Sequence, residues 1–279
     1  MEVNNEEFKK AYDMWTSFKE EVLYKNRFFV RHEALDFLKL FAEKNRKIIE
    51  KGTILYRARL YSAHPFLEFY NKQLNDGGEL TPGQKEGFWG YDESNSFIPP
   101  YNDKVSDGRA NPAYIRYLYT AETPYTALVE VRPYLSSRVS IAEIKVNETL
   151  NVADFSYVSF PDYDGFEKYL MYLIMSDFSI PTASDNKSYI PTQYISEYIK
   201  TLGFDGIRFT SSLNSSGRNI TIFNFEKCKA IGSKLYQVGN IYFEANCIEP
   251  KNEKRLTQLG SYIGENIFNM LQDLNKQKE

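Results

Sequence analysis

The chain has 279 residues, 42% of them hydrophobic and 25% charged, with a net charge of −3 and a sequence pI near 5.7. Those proportions belong to a chain that buries a core and not to a disordered one. The slight acidic excess leaves no surplus of Lys and Arg for counterion-release binding, so DNA and RNA are excluded as expected direct partners.

Before residue 50, Phe8, Ala11, Tyr12, Trp15, Phe18 and Val22 recur at helical spacing, as do Ala34, Phe37, Leu38 and Phe41. The spacing predicts two amphipathic helices that pack on a core and cover an edge. Residues 53–59 then read as a strand with Arg57 and Arg59 on one side. Residues 71–112 are rich in Asn, Asp, Gly, Pro and Ser and read as a long loop. Residues 115–121 read as a strand, and Thr123-Pro124 fits an N-cap followed by Pro at the first helical position, opening a short helix that carries Glu130.

Residues 138–146 and 150–154 are further strand candidates. Phe166, Leu170, Leu173 and Ile174 predict one helix, and Tyr194, Tyr198, Ile199 and Leu202 another, closed by Gly203 as a left-handed cap. Residues 204–210 and 219–225 read as strands joined by a polar loop over 214–218, and residues 231–238 and 241–245 read as a hairpin. Leu256, Leu259, Ile263, Ile267, Met270 and Leu274 predict a closing amphipathic helix. Short strands from both halves with few helices between them favour an α+β fold over a doubly wound sheet.

Several chemistries lack their residues. Cys228 and Cys247 lie far apart without a CxxC, and His32 and His64 are the only histidines, on an expected surface helix and in a loop. A disulfide framework, a metal centre and a Ser-His-Asp triad therefore have almost nothing to build from. Neither GxGxxG nor GxxxxGK[ST] occurs, which removes the Rossmann and P-loop nucleotide sites. The start of the chain is polar and no run reaches membrane-span length, so the protein is expected in the cytoplasm without a membrane partner. Read alone, Glu130 fits a helix-surface glutamate paired with Arg132 or a nearby basic residue, and Arg57, in a strand of apolar and small residues, demands an anionic partner.

Four segments taken together carry more. They are Leu55-Tyr56-Arg57-Ala58-Arg59, Gly108-Arg109-Ala110-Asn111-Pro112, Tyr119-Thr120-Ala121 running on to Thr126-Ala127-Leu128-Val129-Glu130-Val131, and Gly206-Ile207-Arg208-Phe209-Thr210-Ser211-Ser212. In this order they resemble the RES domain, over about residues 50–228. The resemblance implies an ADP-ribosyltransferase-like split mixed sheet, flanked here by a helical N-terminal extension (1–50) and a C-terminal hairpin and helix (229–279) around a catalytic domain (51–228). It implies a toxin or defence effector that cleaves NAD⁺ at the nicotinamide glycosidic bond, with NAD⁺ as substrate, water or phosphate as acceptor and no cofactor. The alternatives are an ADP-ribosyltransferase acting on a macromolecule and a noncatalytic binding module of the same fold.

The resemblance also carries roles. Glu130 is the carboxylate expected to stabilise a ribosyl oxocarbenium ion, Arg57, with Arg59 as the alternative, the cation on the pyrophosphate or a ribose edge, and Arg109 a second cation on a loop that closes over phosphates. Tyr119 would contact nicotinamide by its ring or its hydroxyl. Ser211 or Ser212 is the family serine, whose hydroxyl would bond the nicotinamide amide or the ribose; Thr210 stands where the family often has Pro, and Asn219 would brace the serine loop. RES toxins are paired with an Xre-type antitoxin, so a neutralising protein partner is expected.

Overall fold

The computed structural model of the protein describes residues 5–62, 86–98, 105–156, 165–179 and 186–242. Helix α1 spans Asn5–Glu20 and runs into one π-helical turn, Glu21–Lys25, and α2 spans Glu33–Lys44. Ala11, Trp15, Phe18, Val22, Leu38 and Phe41 are buried in one core, which is the stripe the spacing predicts. His32 stands just ahead of α2 and not on its surface, because its Nδ1 accepts from the Ala34 N–H at 3.1 Å and so caps the helix. His64 and the expected C-terminal helix lie outside the described residues.

Eight strands form one sheet: β1 Arg46–Ile49, β2 Ile54–Leu60, β3 Leu118–Ala121, β4 Arg138–Val146, β5 Leu150–Phe155, β6 Gly206–Thr210, β7 Arg218–Ile222 and β8 Cys228–Gln237. Their order is β1-β5-β6-β7-β3-β2-β4-β8. Among these eight strands only β5 and β6 pair in parallel, and the long crossover that a parallel pair requires is supplied by helices α5 (Gly165–Ser179) and α6 (Ile190–Thr201). The fold is therefore α+β with a mixed sheet.

Strand alternation divides the apolar residues between two layers. Ala153, Phe155, Ile207 and Phe209 pack with α1, α2, α5 and α6 on one face. Leu55, Leu118, Ala142, Ile144, Val152, Ile220 and Ile222 form a second core on the other, joined by Phe88 and bordered by Phe97 of the short helix α3, Glu93–Phe97. That second face also holds Arg208, one residue out of phase with Ile207 and Phe209. Its guanidinium takes both Glu122 oxygens (2.7 and 3.1 Å) and Asp154 Oδ2 (2.7 Å).

The sheet is nearly split in its middle. β2 pairs with β4 over seven residues, whereas β2 and β3 share the single pair Tyr56↔Ala121. The strands diverge from that contact, and the gap is where the site lies.

Three local expectations change. The strand expected over 115–121 begins only at Leu118, because Asn111 Nδ2 donates to the carbonyls of Ser106, Pro112 and Ile115 and holds the preceding residues in a compact loop. The long loop contains α3, capped by Asp92, whose carboxylate accepts from Asn95 N–H at 2.8 Å. The strand expected over 231–238 begins at Cys228 as the ten-residue β8, which pairs along all of β4 with a bulge between Glu143 and Ile144 that leaves Ile231 unpaired, while most of the second arm of the expected hairpin, residues 241–245, lies outside the described residues. The nine-residue edge of β4 offers backbone hydrogen bonds over its whole length. Among the described residues no helix is long and apolar enough to cross a membrane, and no group of three or more His, Cys, Asp and Glu could hold a metal ion.

Candidate active site

The divergence of β2 and β3 opens a cleft of about 420 Å³, lined among others by Tyr56, Arg57, Arg109, Tyr119, Glu130, Arg132, Tyr189, Ser212 and Asn219. That volume suits part of a small organic ligand. Five of the residues named from the sequence for binding line it directly: Arg57, Arg109, Tyr119, Ser212 and Asn219. Ser211 lies just beneath, 3% exposed.

Glu130 reaches the cleft on helix α4, Pro124–Glu130, which starts as the sequence predicts: Thr123 Oγ1 accepts from Thr126 N–H at 3.1 Å and Pro124 opens the first turn. Ser211 Oγ and Asn219 Nδ2 each donate to Glu130 Oε1 at 2.6 Å. The same Ser211 Oγ accepts from the Leu213 and Asn214 N–H groups (3.2 and 3.0 Å). One hydroxyl thus fastens both the turn after β6 and the carboxylate. Among the described residues Glu130 Oε2 has no hydrogen-bond partner. Asn219 therefore braces the carboxylate itself, where the sequence pointed to the serine loop. Arg132, the expected surface partner of Glu130, makes no salt bridge to it and sits at φ +46 on the cleft wall, exposed.

Arg109 is not on a closing flap. Its backbone is pinned, since Thr192 Oγ1 donates to its carbonyl at 2.7 Å, Gln193 Nε2 to the Gly108 carbonyl at 2.8 Å, and Ala110 N–H to Tyr119 Oη at 2.9 Å. Its Nη1 donates to the carbonyls of Asp177, at 3.3 Å, and Phe178. The guanidinium also lies over the Tyr189 ring, 5.6 Å from the centroid. Burial lowers its pKa from the usual arginine value, while Tyr189, Glu130 and Tyr119 work the other way. Gly108 has no room for a side chain, as a Cβ would meet Asn111 Oδ1 at 2.6 Å and Tyr119 Oη at 2.9 Å.

Tyr119 shows its ring to the cleft, but its hydroxyl is engaged by Ala110 N–H and donates to Asn111 Oδ1 at 2.7 Å. Contact with a ligand is therefore left to the ring. Burial pushes its phenol well above the ordinary tyrosine value.

Arg57 borders the cleft on β2, half-buried, with Nη1 at 3.4 Å from the Ser96 carbonyl of α3. Burial, with Arg59 beside it, lowers its pKa to about 10. It stays protonated at neutral pH, and among the described residues no carboxylate pairs with it. Such a cation costs stability until an anion arrives. Arg57→Met should therefore raise the melting temperature of the unliganded protein by about 2–4 °C, for about 1 kcal/mol gained. The same change should weaken binding of inorganic pyrophosphate about tenfold. Differential scanning with and without pyrophosphate reads both effects, and a lower unliganded melting temperature would contradict the assignment of Arg57 to an anion.

Sequence reasoning missed Tyr56, Arg132 and Tyr189. Tyr56 was legible as the neighbour of Arg57, but Tyr189 belongs to a 3₁₀ turn, Asn186–Tyr189, that no spacing marks.

Comparison with known proteins supports one family. No curated protein matches the chain. Among solved structures, the M. tuberculosis MbcT–MbcA toxin–antitoxin complex aligns over 73% of this chain and 93% of that chain, at 12% identity and a TM-score of 0.37. The family model of the RES domain matches residues 88–240, more than half of the chain. The match leaves out β2, so Arg57 joins the site through the sheet and not through the matched segment. Glu130, Arg109, Tyr119, Ser211 and Asn219 all fall within residues 88–240, and the chain belongs to the RES domain family.

Proposed function

We propose that this RES-domain protein removes nicotinamide from NAD⁺ and acts as a toxin or abortive defence effector. The observation that carries the reading is a carboxylate, Glu130, held on one oxygen by Ser211 and Asn219 in a cleft that also presents Arg109 and Arg57. Breaking the C1′–N bond sends its electron pair to the pyridinium nitrogen, so nicotinamide departs neutral and needs no acid. Positive charge then develops on the ribose as an oxocarbenium ion. Fixed negative charge at that point is worth more in the transition state than in the ground state. Glu130 Oε2 is the atom left to accept from a ribose hydroxyl. The acceptor, water or inorganic phosphate, adds its oxygen to C1′ and gives up its proton.

Arg109, fixed by helix-end carbonyls, and Arg57 supply the cations for the pyrophosphate. The rings of Tyr119 and Tyr189 offer flat faces for a heteroaromatic base. Among the described residues Ser211 has no histidine of a triad to activate it, and it is assigned to positioning Glu130. A cytoplasmic NAD⁺ consumer would harm its own host, so a protein that covers the cleft, of the Xre-type antitoxin class, is the proposed partner.

The test is incubation of purified protein with NAD⁺ and measurement of free nicotinamide, with and without phosphate. Release is expected, as are growth arrest and a fall in cellular NAD⁺ on expression in bacteria. Label transferred from NAD⁺ to a macromolecule would move the assignment to ADP-ribosyltransfer, and NAD⁺ left intact would overturn the catalytic reading.

A further inference from the structure

The N-terminal helices lie outside the family match, yet one of them bears on the site. Helix α1 packs along α5: Phe8 meets Tyr169 edge-on with centroids 5.6 Å apart, and Lys10 Nζ lies 4.8 Å over the Phe166 ring. At the far end of α5, Trp15 Nε1 donates to Asp177 Oδ2 at 2.9 Å and Lys19 Nζ does so at 3.3 Å. The backbone carbonyls of Asp177 and its neighbour Phe178 are the ones that hold the Arg109 guanidinium. A single residue therefore joins α1, by its side chain, to the cleft, by its carbonyl.

The connection has a physical reason. Asp177 places a carboxylate in the last turn of a helix, where the backbone dipole is negative and an anion is disfavoured. Helix ends are also where fraying begins. The indole N–H and the ammonium from α1 supply the compensating donors, and without them the last turn, with the carbonyls that fix Arg109, would open.

We infer that Trp15 and Lys19 are positioning residues for Arg109, so that α1 is a working part of the active site and not only its cover. This rests on the NAD⁺ reading for its kinetic arm alone. In the full-length chain, Trp15→Phe combined with Lys19→Met leaves Asp177 without these donors. The apparent KM for NAD⁺ should rise about fivefold to tenfold with kcat within about twofold. Asp177→Asn, added to that pair, removes the anion from the helix end and should restore most of the lost affinity. In an Arg109→Ala background the Trp15/Lys19 pair should have no further effect on KM. Leu38→Ala, a buried change in α2, serves as the stability control: it should lower the melting temperature without moving KM.

A second readout needs no substrate. Amide hydrogen exchange in the last turn of α5, residues 176–179, should speed up in the Trp15/Lys19 variant. If the unaltered protein neither binds nor cleaves NAD⁺, the proposed function fails while this exchange still decides the positioning role. Unchanged exchange, or a KM loss that Asp177→Asn does not relieve, would overturn the inference.

Discussion

Glu130→Gln should leave NAD⁺ binding nearly unchanged and reduce nicotinamide release by about 10²–10³, for a loss of about 3–4 kcal/mol in transition-state stabilisation. The substitution is close to isosteric. Its carbonyl can stand where Oε1 stands and still accept from Ser211 Oγ and Asn219 Nδ2, both now 2.6 Å away. The turn after β6 keeps its own bonds through Ser211, so folding should survive. What disappears is the negative charge that the proposed mechanism sets against the ribose. A surface glutamate would behave otherwise, with activity intact and at most about 1 kcal/mol of stability lost. Full nicotinamide release by the folded variant would remove Glu130 from the mechanism, and the same kinetics would show whether the change falls on kcat, as expected, or on KM.

The largest effect on stability is expected away from the cleft, at Arg208→Met. Arg208 bridges Glu122 and Asp154, whose side chains are 33% and 10% exposed, and also donates to Ser156 Oγ at 2.6 Å. Burial pulls the guanidinium pKa down, but Glu122 and Asp154 more than offset it and hold it above the ordinary arginine value. Deleting the cation strands two carboxylates, one of them buried, at a cost of about 3–5 kcal/mol. For a chain of this size the melting temperature should fall by roughly 2–4 °C for each kcal/mol. Adding Asp154→Asn should return part of the loss, because an amide costs less to bury unpaired than an anion does. Thermal melts would decide it, and a melting temperature unmoved by Arg208→Met would mean that solvent already satisfies both carboxylates.

Both residues were visible in the sequence, but to different degrees. Thr123-Pro124 announces the start of α4, and its length then delivers Glu130 to the helix end, because a cap and an N1 proline act within four residues. The same locality made α1, α2, α5 and α6 readable from their apolar spacing, and β4 from its ends, Arg138 and Val146. Gly203 does close α6 at φ +87. These are signals whose energy is settled inside one turn or one strand.

What the chain could not show by itself depends on residues brought together from far apart. Whether β2 and β3 zip or part is decided by pairing across the sheet, and their divergence from the single pair Tyr56↔Ala121 creates the cleft. Arg208 looked like a residue of a motif-bearing strand; alternation turned it away from Phe209 and into an ion network with β5 and Glu122. Arg109 read as a loop cation free to close over phosphates, yet bonds from α5, α6 and Tyr119 fix it. Ser211, offered with Ser212 as the contact to a ligand, turned inward to Glu130, 81 residues away in sequence. Local preference sets which segments become helices and strands, whereas burial and hydrogen-bond satisfaction across the folded sheet decide which faces meet and therefore where the chemistry sits.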